Sequence, residues 1–186
     1  MAALSAPASY TRGMLQLSNA FADKNVMSLR TGAAVAAITR PILNPNNLKI
    51  EGFFCQDLYD RKELVMLYQD IRELLPQGFV VDDHDVLVEP SELVRLQDII
   101  QLNFQLINMP VVTSNKEKIG KVNDFATEIE SMFVQKLYVT RSMFKSFSNG
   151  QLSVDRNQII EINDNRILIQ DPLQGKPSGA NATALA

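Results

Sequence analysis

The sequence predicts a mainly-β protein made of two small β-barrels in tandem, joined by a short α-helix. Three observations predict this fold class: the apolar pattern of one half returns in the other, short apolar segments alternate with turn residues, and one intervening segment has helical spacing. We therefore divide the chain into a first repeat at 14–88, a connecting helix at 89–104 and a second repeat at 105–171. The flanking residues 1–13 and 172–186 are rich in Ala, Ser, Pro, Gly and Thr, and they are predicted to be disordered.

Three alignments define the internal repeat. They pair 21–28 with 106–113 at an offset of 85 residues, 50–55 with 134–139 at an offset of 84, and 79–81 with 167–169 at an offset of 88. The change from 84 to 88 requires one four-residue insertion, which falls in the polar stretch 141–150, where a loop tolerates a change of length. Matching strands are therefore expected to enclose two separate apolar interiors.

The second half consists of short apolar segments bounded by turn residues. The strands predicted there are Val111–Thr113, Gly120–Asn123, Phe133–Val139, Leu152–Val154, Ile159–Ile162 and Arg166–Gln170. Asn149-Gly150 and Asn163-Asp164-Asn165 mark two of the turns, and Asn44–Asn47 marks the turn before Leu48–Cys55 in the first half. Short strands at this density favour small barrels whose edges close on one another.

Residues 89–104 lie between the two halves and have the pattern of an amphipathic helix. Ser91 is in the position of an N-cap, and apolar residues recur at helical spacing at Leu93, Leu96, Ile99, Ile100 and Phe104. The apolar stripe predicts that this helix packs on a barrel.

Composition limits the classes of function. The chain has 18 basic and 21 acidic residues and a net charge of −3, which disfavours non-specific binding to nucleic acid. It has one cysteine, no pattern of a secretory signal and no apolar run long enough to span a membrane, so we expect a soluble, cytoplasmic protein. No motif for a cofactor or a metal is present, and none is predicted.

The order of motifs in the second half resembles the PRC-barrel family. The motifs are Pro110–Thr113, Ile119–Asp124, Phe133–Val139, Leu152–Val154, Asn157–Ile162 and Arg166–Asp171. This small β-barrel is named for the cytoplasmic domain of the photosynthetic reaction-centre H subunit, and it forms the C-terminal domain of RimM-type ribosome maturation factors. In the first half Ala36 stands where the second half has Gly120, so the first repeat is expected to make that bend differently.

The resemblance implies binding rather than catalysis. Our leading hypothesis is a non-catalytic adaptor that docks onto protein partners, with self-association left open, and its candidate partner surface is Arg141, Met143, Phe144 and Phe147. The alternative is an RNA-processing or ribosome-associated factor related to the RimM type. For that role the candidate RNA contacts are Lys116, Lys118 and Lys121.

Several chemically capable residues are interpreted as structural. His84 is predicted to be an exposed turn residue and Cys55 a small core residue, because neither has the partners that a zinc site or a catalytic pair needs. The acids at 82–85 lack the spacing of a calcium-binding loop. An enzyme using carboxylates alone would need a pocket that gathers acids such as Asp57, Asp60 or Asp124.

Overall fold

The computed structural model describes residues 14–141, 151–163 and 165–171, in which two β-sheets account for most of the regular structure. The first sheet contains β2 (Asn25–Ser28), β3 (Ala34–Asn44), β4 (Lys49–Asp57), β5 (Glu63–Leu67), β6 (Glu73–Leu75) and β7 (Gly78–Val81). The second contains β1 (Leu15–Leu17), β8 (Pro110–Thr113), β9 (Lys118–Glu128), β10 (Val134–Arg141), β11 (Gln151–Asp155), β12 (Ile159–Asn163) and β13 (Arg166–Ile169). The prediction of a mainly-β fold is confirmed.

The two sheets have the same strand order. It runs β5-β4-β3-β2-β7-β6 in the first sheet and β11-β10-β9-β8-β13-β12 in the second. Each order contains a single parallel pair, β2 with β7 and β8 with β13, and its other neighbours are antiparallel. Within the described residues, neither sheet closes through pairing of its two edge strands, so the closed barrels predicted from the sequence are not observed.

The pairing registers of one sheet return in the other at the offsets found in the sequence. Ile38 faces Cys55 and, 84 residues further on, Val122 faces Val139. Met66 and Val154, 88 residues apart, face equivalent residues of β4 and β10. The bulges in β3 and β9 fall at equivalent places too. The sequence similarity therefore reflects repeated backbone pairing.

Left-handed backbone conformations are repeated at equivalent positions. Asp23 and Asn108 have φ of 57° and 67°, and Leu48 and Met132 have φ of 51° and 57°. In contrast, Ala36 and Gly120 occupy the same register position, opposite Val26 and Val111, and neither has a positive φ. The expectation that the missing glycine forces a different bend is therefore wrong, because this position is ordinary extended strand that alanine adopts without strain.

The apolar interiors of the two sheets are connected. One cluster of buried residues includes Phe53 and Phe79 from the first sheet and Leu137 and Ile167 from the second. Buried residues at the junction, such as Leu48 and Met132, belong to the same cluster. The expectation of two separate interiors is therefore wrong, because the junction itself buries apolar side chains.

The connecting segment is mostly not α-helical. Two 3-10 turns, Pro90–Glu92 and Val94–Leu96, precede a single short helix, α1 (Gln97–Leu102), and Ser91 does not cap it. Leu93 has φ −87° and ψ 65°, which interrupts a helix, and Asn103 ends α1 in the left-handed region with φ 43°. The predicted packing is confirmed, since Leu93, Ile99 and Ile100 cover Ile42, Phe54 and Val65 on the outer face of the first sheet.

Each sheet is contacted by the segment that precedes the other sheet. Strand β1, which the sequence assigns to the first repeat, pairs with β9 through Leu15–Glu128 and Leu17–Ala126. Helix α1, which precedes β8, contacts β3. The chain therefore crosses from one half to the other twice, and the two halves cover one another reciprocally.

Candidate interaction surfaces

The junction between the sheets is an antiparallel contact between equivalent residues. Ile50 N donates to Met132 O at 2.8 Å, and Val134 N donates to Leu48 O at 2.9 Å, around a bridge between Lys49 and Phe133. Lys49 and Phe133 are 84 residues apart, as are the residues on either side of them. The contact therefore has the form of an isologous dimer interface within one chain.

Four side chains at equivalent positions, Lys49 and Tyr68 in the first half and Phe133 and Arg156 in the second, form cation–π contacts beside this junction. Lys49 Nζ lies 3.7 Å from the centroid of the Tyr68 ring and 5.7 Å from that of Phe133, and Arg156 Cζ lies 4.7 Å from the Phe133 centroid. Arg156 also donates to Asn47 O at 2.6 Å and to Val134 O at 3.2 Å. The cation is on β4 in the first half, and in the second half it follows β11, at the place of Tyr68. Across the junction itself the described contacts are the 5.7 Å approach of Lys49 to Phe133 and the hydrogen bond from Arg156 to Asn47 O, in addition to the backbone pairing.

Three exposed apolar side chains follow strands at one end of the first sheet. Leu29, Leu58 and Tyr59 are 60%, 39% and 71% exposed. Their backbone is fixed, because Leu29 N donates to Val81 O at 2.9 Å and Leu58 N to Val35 O at 3.0 Å. Apolar groups held in water by a rigid backbone are typical of a protein-binding surface. We call these three residues the Tyr59 surface.

Sequence reasoning missed the Tyr59 surface, although a signal was present. Leu58 and Tyr59 are adjacent apolar residues directly after a strand and before the polar Asp60, where a turn is expected to be polar. At the offset of 84 residues Met143 corresponds to Tyr59, so the predicted partner surface falls at the equivalent place in the sequence. Of the predicted partner surface, the structure describes only the backbone of Arg141, which ends β10. The Arg141 side chain lies outside the described part of the chain, as do Met143, Phe144 and Phe147.

His84 lies next to this surface and is paired with a buried carboxylate. His84 Nε2 is 2.6 Å from Asp57 Oδ2, and the Tyr59 ring meets the imidazole edge-on at 5.4 Å between centroids. Burial acts to raise the pKa of Asp57, but hydrogen bonds from the Tyr59 N–H and from His84 hold that pKa below its usual value. His84 is 37% exposed at its side chain, so the prediction of an exposed turn histidine is correct only in part.

The other acids that were candidates for a metal or a catalytic site are spread among separate partners. Asp82 pairs with Arg72, and Asp83 pairs with Arg30 and accepts from Ser28 Oγ at 2.9 Å. Asp60 lies 3.5 Å from Lys62 Nζ, whereas Asp124 accepts from Ser18 in the other half. In the part of the chain that the structure describes, no three acids, histidines or cysteines gather as a metal site would require.

Cys55 is a core residue, as predicted. It is 0% exposed on β4, and burial raises the pKa of its thiol to about 12. The thiol is therefore protonated at neutral pH and unsuited to nucleophilic attack.

The three candidate RNA-contacting lysines are exposed at one end of the second sheet. Lys116 has φ 64° in the turn before β9, and Lys118 begins that strand. Lys121 borders a shallow cavity of about 410 Å³ together with Asn108, Asn123 and Thr140. Their ammonium groups form no ion pair with a described residue.

The second sheet has a single parallel pair between β8 and β13 and a long strand, β9, that carries a bulge. Residues 103–173 match the family model of the PRC-barrel domain, and this range contains every strand of the second sheet except β1. The match confirms the resemblance for this half of the chain. A comparison with curated proteins gave no match.

Proposed function

We propose that both halves are PRC-barrel-like units and that the chain is a non-catalytic adaptor that docks onto protein partners in the cytoplasm. Support for the tandem arrangement comes from the strand registers, which the two sheets share pair by pair. A binding role is supported by the family match. A non-catalytic role is supported by the state of two reactive side chains, because Cys55 is buried and the Asp57 carboxylate is paired with His84. No helix within the described residues is long and apolar enough to cross a membrane.

One observation carries the docking proposal: the Tyr59 surface presents three large apolar side chains on a backbone that the sheet holds in place. Burying a large apolar side chain contributes roughly 1.5–3 kcal/mol, so these three side chains would supply the apolar centre of such a contact. The equivalent stretch of sequence in the second half contains Met143, Phe144 and Phe147, which are also large and apolar.

Affinity capture from a lysate of the native organism, with partners identified by mass spectrometry, tests this proposal. A Leu58→Ser/Tyr59→Ser variant and a Phe144→Ser/Phe147→Ser variant are compared with the wild-type chain. Val94→Ser is the matched control, because Val94 is 80% exposed and lies away from both loops in sequence. We expect one or both double variants to lose the captured partner while the control retains it. Retention by all three variants would show that neither loop is the docking surface.

The alternative, an RNA-associated or ribosome-associated factor, is favoured by one observation: Lys116, Lys118 and Lys121 are all exposed in the turn before β9 or on that strand, and Lys121 borders a cavity. It predicts co-sedimentation with ribosomal particles that weakens steeply as salt is raised, because phosphate contacts release counterions. Replacing Lys116, Lys118 and Lys121 with Gln should abolish that co-sedimentation. Sedimentation of the wild-type chain in the free pool at low salt would reject this function.

A further inference from the structure

The segment that connects the two sheets lies across the outer face of the first sheet. We call residues 90–103 the strap; it consists of two 3-10 turns and the short helix α1. It covers Ile42, Phe54 and Val65, which are buried, although every residue of the strap is itself exposed or only half-buried. The strap therefore removes side chains of the sheet from water without becoming part of a core.

The contact between the strap and the sheet is apolar. Leu93, Ile99 and Ile100 are the strap side chains that pack against the covered residues. Among the described residues, the hydrogen bonds of the strap join it to itself or to Glu89, so none of them crosses to the sheet. Apolar contact alone thus holds the middle of the strap in place.

The covered patch is separate from the main apolar interior. The three covered residues form a cluster of their own with the strap side chains. Leu64 and Met66, the neighbours of Val65 on β5, point to the opposite face of the sheet and belong to the main cluster. Movement of the strap away from the sheet therefore leaves the contacts of the main cluster intact.

Both ends of the strap are anchored in the fold. Before it, Val65 N donates to Val88 O at 2.8 Å, and Val88 N donates back to Val65 O at 3.1 Å. After it, the buried residue Leu106 belongs to the main cluster. Between these anchors the helical turns are interrupted at Leu93, with φ −87° and ψ 65°, and end at Asn103, with φ 43°. The strap can therefore lift and return to the same place.

The balance of free energy favours opening of the strap before the rest of the fold. Lifting it exposes a few apolar side chains, but it also releases the backbone of residues 90–103 and returns conformational entropy to the chain. Segments with little buried apolar surface belong to the least stable parts of a fold.

We infer that the strap opens as a unit while both sheets stay folded, and that it acts as a movable cover over an apolar patch on the first sheet. In the closed state the patch is hidden. In the open state Ile42, Phe54 and Val65 reach the solvent, so the protein has a surface that is displayed only in a minor conformation. The inference concerns the outer face of the first sheet and does not depend on the proposed docking function.

Thiol labelling of a Val65→Cys variant tests the inference. The chain has one native cysteine, so the variant carries one thiol beneath the strap and one, Cys55, in the main cluster on the neighbouring strand. N-ethylmaleimide is added under native conditions, and the label at each position is followed with time by mass spectrometry of peptides. We expect the introduced thiol to react about tenfold or more faster than Cys55, which corresponds to a free energy of opening lower by at least about 1.4 kcal/mol.

Two further substitutions show whether the strap controls this labelling. Ile100→Ser, combined with Val65→Cys, removes an apolar contact beneath the strap and should raise the labelling rate of the introduced thiol by about fivefold or more while Cys55 keeps its rate. Leu102→Ser is the matched control, because Leu102 lies on the same helix but is exposed, and it should change neither rate.

Equal labelling rates for the two thiols would overturn the inference, because the strap would then open only when the main core opens. A rate that Ile100→Ser leaves unchanged would also overturn it, since the position of Val65 would become exposed by fraying of β5 instead. Hydrogen exchange of the wild-type chain gives a test without the new cysteine: amides of α1 should exchange about tenfold or more faster than those paired between β3 and β4. Equal protection of these amides would overturn the inference even if the Val65→Cys variant does not fold.

Discussion

The two sheets share their backbone pairing but differ in how their outer faces are covered. In the first sheet Ile42, Phe54 and Val65 form an apolar patch beneath the connecting segment. Their equivalents in the second sheet are Ala126, Tyr138 and Ser153, and of these Ser153 is exposed. The difference teaches that strand order and register do not depend on the outer faces, which are therefore free to serve separate contacts.

The inner faces differ in chemistry but not in role. Phe21, Phe53 and Phe79 form a three-ring cluster with centroids 4.9–6.1 Å apart. The equivalent positions in the second half are the buried aliphatic residues Leu106, Leu137 and Ile167. Aromatic and aliphatic packing thus fill the same positions of a repeated framework, as expected where volume and apolarity matter more than identity.

The largest effect on stability is expected from truncating one of these core side chains to alanine. Phe53→Ala should lower the free energy of unfolding by about 3–5 kcal/mol and Leu137→Ala by about 2–5 kcal/mol. Because the apolar interiors are connected, each variant should shift a single transition of the whole chain in urea, followed by both fluorescence and far-UV circular dichroism. Two transitions, of which each variant moves only one, would show that the halves unfold independently.

The next effect concerns the junction. Arg156→Ala removes hydrogen bonds to Asn47 O and Val134 O as well as the contact with the Phe133 ring, so we expect a loss of about 1.5–3 kcal/mol. Lys136→Ala is the control, because its 3.1 Å ion pair with Asp155 lies on the surface, where such a pair contributes about 0–1 kcal/mol. Equal losses in the two variants, measured by urea denaturation, would mean that Arg156 does not hold the halves together.

A smaller effect compares the turns that join β2 to β3 and β8 to β9. Gly32 and Lys116 take the same left-handed conformation, with φ of 68° and 64°. Gly32→Ala should cost about 1 kcal/mol, because a Cβ is strained at this φ. Lys116→Gly should change stability by less than about 0.5 kcal/mol, since relief of strain is offset by a more flexible unfolded chain. Thermal unfolding of both variants checks this asymmetry, and a neutral Gly32→Ala would contradict it.

Much of the strand pattern follows from the sequence, because alternating apolar residues and turn residues act locally. The turn at Asn44–Asn47 and the offsets of 84, 85 and 88 residues agree with the observed pairing. The length of β9 does not follow, since Lys118–Glu128 includes polar residues and a bulge that hide the alternation. Helical spacing at 89–104 predicts too long a helix, because two 3-10 turns followed by the short helix α1 also place Leu93, Ile99 and Ile100 against the sheet.

Features that depend on distant residues were beyond sequence reasoning. Asp57 and His84 are 27 residues apart in the chain and meet only because β4 and the turn after β7 end at the same side of the sheet. Strand β1 joins the second sheet across more than 100 residues of sequence.

The smallest expected effect is a difference in acid sensitivity between the halves. The pKa of Asp57 is lower in the folded state than in the unfolded state. The ionised carboxylate therefore stabilises the fold at pH values above the unfolded pKa. This stabilisation is lost as the pH falls through the lower, folded pKa. The equivalent residue in the second half is Arg141, which has no such dependence. Asp57→Asn should therefore be less stable than the wild type at pH 7 but should lose less stability between pH about 5 and about 3.

Urea midpoints at several pH values across this window measure the effect, with Asp85→Asn as the control because Asp85 is an exposed acid in the same turn. We expect the Asp85→Asn curve to run parallel to that of the wild type and the Asp57→Asn curve to be flatter. If hydrogen exchange at low pH protects both sheets equally, the acid-sensitive contact is not confined to the first sheet. Loss of protection that begins around His84 and Tyr59 would instead place the first opening of the fold beside the Tyr59 surface, where a bound partner would oppose it.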